Sequence, residues 1–215
     1  MVVMAAVVHI IDDDALFRSA IARLLRASGY DVKLHESAQE FLQSPCFDSP
    51  SCLLLDIEMP GLSGVDLQSR LAETNSTVPI VFLTGHGNIP ASVRAIRAGA
   101  EDFLTKPVAK DDLLAAVERA LFRHREVQAK GAKLEGARAL LATLTPRELQ
   151  VFALVVRGKM NKQIAYELGA AERTVKAHRH MIMEKLRVRS WAEAVLIAER
   201  LGVVPDDGLG GGDTK

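Results

Sequence analysis

Apolar and polar positions alternate in blocks along the first 122 residues. Short apolar runs of strand length stand at Val7–Ile11, Cys52–Leu55, Ile80–Leu83 and Asp102–Thr105, with a weaker, alternating one at Val32–His35. Between them the apolar spacing changes to three and four. Leu16, Ala20 and Leu24 recur over Ala15–Ala27, which ends before Gly29, and Ala91–Ala98 ends at Gly99. Leu113, Leu114, Val117 and Leu121 share one face of Lys110–Phe122. Strands alternating with helices predict an α/β fold, a doubly wound parallel sheet of five strands with helices on both faces.

Beyond residue 122 the strand signal vanishes. Residues 123–143 are charged, Ala-rich and helix-prone, interrupted by Gly131 and Gly136, and read as a linker that is partly helical. Four short helices then fit the pattern: Pro146–Arg157, Lys162–Leu168, Glu172–Leu186 and Trp191–Leu201. The first is well marked, with Thr145 as N-cap, Pro146 at the first helical position and Glu148 completing a capping box. The last ten residues, DDGLGGGDTK, are expected to be disordered. The expected organisation is thus a first domain over 1–122, a linker over 123–143, an all-α domain over 144–205 and a tail over 206–215.

Charge sharpens the division. The 215-residue chain has no net charge. Residues 1–125 nevertheless carry 12 Lys/Arg against 16 Asp/Glu, and residues 126–205 carry 14 against 8. An acidic first part and a basic second part point to two tasks, the second directed at a polyanion. No stretch of about 18 apolar residues predicts a membrane span. The apolar start MVVMAAVV lacks the basic flank of a signal peptide. Cys46 and Cys52 are too few and too close for a disulfide framework, so reduced thiols and a cytoplasmic location are expected.

Candidate chemistry gathers at the strand ends. Asp12, Asp13 and Asp14 follow the first apolar run; Asp56 ends the run SCLLLD; Thr84 ends IVFLT; Lys106 follows DFLT. In a parallel sheet these ends share one edge, where open α/β sheets bind ligands. Three adjacent aspartates repel one another, and a hard divalent cation such as Mg²⁺ relieves that repulsion. Carboxylates, a hydroxyl and an ammonium also suit a phosphoryl group: a carboxylate attacks phosphorus while Lys106 and Thr84 hold phosphoryl oxygens. Asp14 alone is better read as a helix-terminal acid.

The stretches HIIDDD, LLLDIEMPGLSG, IVFLTGHG and AGAEDFLTKP make residues 7–122 resemble the receiver domain of bacterial two-component response regulators, a flavodoxin-like fold. The resemblance implies that Asp56 accepts phosphate from a sensor histidine kinase. It implies that Asp13, Asp56 and the main-chain carbonyl of Glu58 hold Mg²⁺, with Asp12 helping through water. Thr84 and Phe103 become a switch pair, Lys106 a phosphoryl ligand, and the Lys106–Pro107 bond cis. Met59, Pro60, Gly61 and Gly64 match the loop after the acceptor. His86 is read as a surface loop residue, with a contact that tunes dephosphorylation or dimerisation as the alternative, and His9 as a structural one.

In the basic part, ERTVKAHRHMIMEKL resolves into two faces at about 100° per residue. Val175, Ile182 and Leu186 form the core stripe; Arg173, Lys176, Ala177, His180 and Glu184 lie opposite. A basic helix preceded by a short helix and a tight turn is the helix-turn-helix arrangement, whose second helix enters the major groove of double-stranded DNA. Lys176 and His180 then reach base edges and Ala177 a thymine methyl, while Arg173, Thr174, Arg179, Lys162 and Asn161 favour phosphates. The alternative is a small bundle with a solvated charged face for protein docking. The pattern LTPRE, NKQIA, TVKAH and MEKL resembles the LuxR-type helix-turn-helix, which implies the same base-facing trio of Lys176, Ala177 and His180. In that comparison His178 is structural. Ala171 stands where the family often has a serine cap, so this helix start is expected to be weakly capped.

Together the two resemblances describe the FixJ/NarL class of response regulators. They imply a homodimer when phosphorylated, an operator in double-stranded DNA and contact with RNA polymerase. They imply no enzyme beyond Mg²⁺-dependent self-phosphorylation and autodephosphorylation of the acceptor. Trp191, Ala194, Val195 and Ala198 form a stripe read as core, with any exposed members available for dimerisation. Two rival readings stand beside this one: a phosphotransferase or phosphatase working through an aspartyl phosphate, and a DNA binder that ignores phosphorylation.

Overall fold

The computed structural model describes residues 6–43, 47, 49–85 and 99–203. The helix expected at Ala91–Ala98, His86, Cys46 and the tail 206–215 lie outside the described residues. The chain divides into two compact units, Met1–Ala129 and Lys130–Lys215.

In the first unit five parallel strands stand in the order β2-β1-β3-β4-β5. They are β1 (Val7–Ile11), β2 (Asp31–His35), β3 (Ser51–Asp56), β4 (Ile80–Thr84) and β5 (Asp102–Thr105). Helices α1 (Ala15–Ala27), α2 (Ala38–Gln43) and α3 (Gly64–Glu73) connect them, and α4 (Lys110–Leu141) follows β5, its residues from 130 onward belonging to the second unit. The central strand β3 is buried at every position, because alternate residues feed two separate cores. Cys52 and Leu54 pack with Ile21, Leu25, Leu113 and Val117 on one face; Leu53 and Leu55 pack with Phe41, Leu67 and Leu71 on the other. Burial pushes the Cys52 thiol up to about 12, which keeps it protonated and unreactive. The edge strand β2 is largely exposed, in keeping with its weak apolar signal.

The patterns for α2 and α3 are too short to stand out in the sequence, and Lys110–Phe122 underestimates α4. That helix continues to Leu141, so the described part of the expected linker is helical up to that residue. Its continuation is anchored from the side. The Ser51 N–H donates to Nδ1 of buried His124 at 2.8 Å, and Gln128 Nε2 donates to the Phe47 carbonyl at 3.2 Å.

His9 is 1% exposed in the middle of β1. Its Nδ1 lies 3.2 Å from His35 Nε2, its ring meets Phe41 and Phe47 edge-on, and its Nε2 has no partner among the described residues. Burial, then the charges of His35 and Lys33, pull its pKa from 6.5 to about 4. A histidine held below its unfolded value favours the native state only while neutral. The stabilisation is therefore complete above pH 6.5 and is lost as pH falls from 6.5 towards 4. The expected loss is about 3 kcal/mol. Chemical denaturation of the receiver-like unit across this range should show it, and His9→Phe should flatten the dependence. An unchanged slope in His9→Phe would assign the acid sensitivity elsewhere.

The second unit carries α5 (Pro146–Val156), α6 (Asn161–Glu167), α7 (Glu172–Leu186) and α8 (Trp191–Arg200). Its core joins Val151, Phe152, Ile164, Val175, Ile182, Leu186, Ala194 and Ala198. The capping box read from Thr145 and Glu148 is present, and α7 starts at Glu172 with Ala171 making no side-chain cap. No described helix is long and apolar enough to cross a membrane.

Candidate functional site

The first site lies where β1, β3, β4 and β5 end. Asp12 follows β1 directly and is wholly buried; Asp56 closes β3 at 7% exposure; Thr84 closes β4 at 1%. Lys106 follows β5, and its N–H donates to the Thr84 carbonyl at 2.7 Å, fixing the β5 end against the β4 end. Its ammonium bridges two acids, 2.5 Å from Asp12 Oδ2 and 3.0 Å from Asp56 Oδ2. The Lys106–Pro107 bond is cis.

Asp12, Asp13 and Asp56 each offer a carboxylate oxygen, and these oxygens lie within 4.8 Å of one another. The three neighbours in sequence have separated in role. Asp12 points inward and accepts the Asp14 N–H at 2.9 Å, whereas Asp13 is exposed. Asp14 is the N-cap of α1, accepting from Leu16 at 2.8 Å and Phe17 at 3.1 Å. Those hydrogen bonds, Phe17's foremost, hold its carboxyl below the usual range. Asp14 is therefore accounted for by the helix it starts.

Burial raises the pKa of Asp56, and the nearby Asp12 adds to the rise; the bond and charge of Lys106 and the Glu58 N–H work against it. At Lys106 burial pulls downward, but the two carboxylates outweigh it and the ammonium is stabilised. Gly64, at the start of α3, allows the following loop to close on the acid. A Cβ there would stand 2.2 Å from the Asp56 carbonyl oxygen. Phe103 sits midway along β5, partly buried against the core that contains Ile57 and Phe82.

Two contributors were absent from the sequence reading. The Phe17 ring centroid lies 4.2 Å from Lys106 Nζ, close enough for a cation–π contact. Arg18 Nη1 donates to the Asp12 carbonyl at 2.5 Å. The signal for both was their place in the first turns of α1, next to the aspartates.

The second site is the outer face of α7. Arg173, Thr174, Lys176, Ala177 and His180 are all exposed on it. Lys176 stands 3.8 Å from Glu172 and His180 3.6 Å from Glu184, loose surface pairs that contribute little and separate easily. Lys162 is exposed on α6. His178 is only partly exposed. Asn161 and Arg179, both assigned to phosphates from sequence, hydrogen-bond each other at 2.8 Å. On α8, Ala194 and Ala198 belong wholly to the core, Trp191 packs against it, and Leu196 is half exposed.

Residues 8–118 match the response regulator receiver domain, and residues 142–198 match the luxR family of bacterial regulatory proteins. The chain is 46% identical to Nodulation protein W of Bradyrhizobium diazoefficiens over 198 residues, 92% of this chain and 87% of that protein. It is 38% identical to the transcriptional regulatory protein FixJ of Rhizobium meliloti, covering 92% of this chain and 97% of that one. The solved structure of the response regulator StyR superposes with a TM-score of 0.84 at 44% identity, over 91% of this chain and 99% of that one. The chain belongs to the two-component response regulators, with a receiver domain followed by a LuxR-type DNA-binding domain.

Proposed function

We propose that this regulator controls transcription through phosphorylation of Asp56, which promotes dimerisation and operator binding. The observation that carries the reading is the single rim at which Lys106 bridges Asp12 and Asp56 with Asp13 alongside. A carboxylate oxygen of Asp56 attacks the phosphorus of a phosphohistidine on a sensor kinase; the P–O bond forms as the P–N bond breaks. Lys106 then moves its charge from the carboxylates to the phosphoryl oxygens, and the Thr84 hydroxyl takes another oxygen. Phe103 follows Thr84 by turning further into the core beside it.

The donor set fits a magnesium ion: carboxylate oxygens close together, with acids whose charge exceeds that of Lys106. Asp12, Asp13, Asp56 and the Glu58 carbonyl would hold it, and when bound it neutralises charge on the acceptor and the phosphoryl group. The chain is a regulator, and its chemistry is limited to taking up and slowly losing its own phosphate. The receiver spans 1–122, the linker 123–143 and the DNA-binding domain 144–205. In the latter, Lys176 and His180 read base edges, Ala177 meets a thymine methyl, and Arg173, Thr174 and Lys162 hold phosphates. Exposed α8 residues such as Leu196 join two copies, and the bound dimer engages RNA polymerase in the cytoplasm.

Asp56→Ala should abolish labelling by acetyl phosphate and the accompanying dimerisation, read by phosphate-affinity electrophoresis and light scattering. Chelation of Mg²⁺ should do the same to the unaltered protein. Labelling that persisted in Asp56→Ala would place the acceptor elsewhere.

A further inference from the structure

Arg179 is a cation on the DNA-binding helix, and its charge alone would make it a phosphate ligand. Its position says otherwise. At about 100° per residue it lies only about 40° from Val175, at the margin of the core stripe, whereas Ala177 and His180 lie on the opposite side. It is partly buried, while Lys176, Ala177 and His180 are exposed.

Its guanidinium has two partners on two other helices. Nη1 donates to Asn161 Oδ1 at 2.8 Å, and Asn161 is the first residue of α6. Cζ lies 4.7 Å from the centroid of the Trp191 ring, and Trp191 is the first residue of α8. Trp191 in turn meets the wholly buried Phe152 of α5 at 6.4 Å between centroids. One planar cation thus ties the middle of α7 to the starts of both neighbouring helices and, through Trp191, to the core.

We propose that Arg179 is a positioning residue for operator binding, clamped between Asn161 and Trp191 so that α7 is presented at a fixed angle, and that it is not a phosphate contact. The proposal rests on the reading of α7 as the recognition helix. The start of α7 has no side-chain cap at Ala171, so its first turn gains nothing from capping and the contacts further along the helix carry more of its hold on the neighbouring helices. Arginine suits the task because one flat group can stack on an indole and donate in its own plane; lysine offers neither geometry.

The test uses the full chain and a duplex selected by it from a random short-DNA library. Affinity is measured as a function of salt for the unaltered protein, Arg179→Met and Arg179→Lys. Trp191, the chain's only tryptophan, reports the clamp by its fluorescence. Both variants are expected to lose about tenfold in affinity, the equivalent of one hydrogen bond or cation–π contact. The slope of log affinity against log salt should stay unchanged, and Trp191 emission should shift in both.

Asn161→Ala removes one end of the clamp while leaving the stack. It should lose affinity less, and Arg179→Met combined with it should be no worse than Arg179→Met alone. A salt slope reduced by about one in Arg179→Met, with Arg179→Lys near normal, would make Arg179 a phosphate ligand and overturn the proposal. So would unaltered affinity in both variants, or losses at 161 and 179 that simply add. If the unaltered protein enriched no sequence, the DNA-binding reading itself would fall, a result recognisable because it precedes any substitution.

Discussion

Lys106→Ala is expected to destabilise the metal-free receiver by about 2 to 4 kcal/mol, because it strands buried charge. Asp12 is wholly buried and Asp56 nearly so, and one ammonium lies between them at 2.5 and 3.0 Å. With the ammonium gone, two adjacent carboxylates face each other with less compensation than either would have in water. The Phe17 ring, 4.2 Å from the ammonium, also loses its partner. Millimolar Mg²⁺ should restore most of the loss, and the variant should gain more from the ion than the unaltered protein does. The difference arises because the ion no longer competes with an internal cation for the same oxygens. Calorimetry with and without Mg²⁺ measures both effects. Equal stability without metal, or an equal response to it, would show that Lys106 does not neutralise the cluster.

Glu148→Ala should lower the stability of the DNA-binding unit by about 2 to 3 kcal/mol, since the side chain serves two purposes at once. Its Oε2 accepts the Thr145 N–H at 2.7 Å, closing the capping box at the start of α5. The same oxygen meets Lys185 Nζ of α7 at 2.6 Å. Glu148 is only 5% exposed, so the pair is shielded from salt. Lys185, and then the Thr145 groups, hold its carboxyl below the ordinary value of 4.5. A depressed acid stabilises the native state above its unfolded pKa and ceases to do so as pH falls through the folded one. The unaltered unit should therefore lose stability below pH 4.5, and Glu148→Ala should lack that acid limb. Denaturation followed by Trp191 fluorescence isolates this unit. A variant as stable as the parent would leave the α5–α7 link without energetic weight.

Strand β1 and helix α1 were legible to the residue, because each has a sharp apolar pattern and a sharp end; β5 and α7 occupy the bounds expected from the stretches DFLT and ERTVKAHRHMIMEKL, although the start of α7 has no side-chain cap. Convergence of Asp12, Asp56, Thr84 and Lys106 was legible too. In a parallel sheet every strand's carboxyl end lies on one side, so polar residues at those ends have to meet. The full length of α4 was not. Gly131 and Gly136 read as interruptions, and nothing local revealed that His124 would be tied to Ser51 N–H, 73 residues earlier in the chain.

Sequence alone thus determined the fold class and which polar residues stand at the strand ends, since periodicity and strand polarity are local properties that add up to topology. Tertiary structure alone decided how neighbouring residues of one type divide their work. It sent Asp12 inward to Lys106, left Asp13 at the surface and gave Asp14 to a helix cap. It also turned Arg179 from the expected phosphate face towards Asn161 and Trp191. Charge is written in the sequence, but the partner that neutralises it is chosen by packing between segments far apart in the chain.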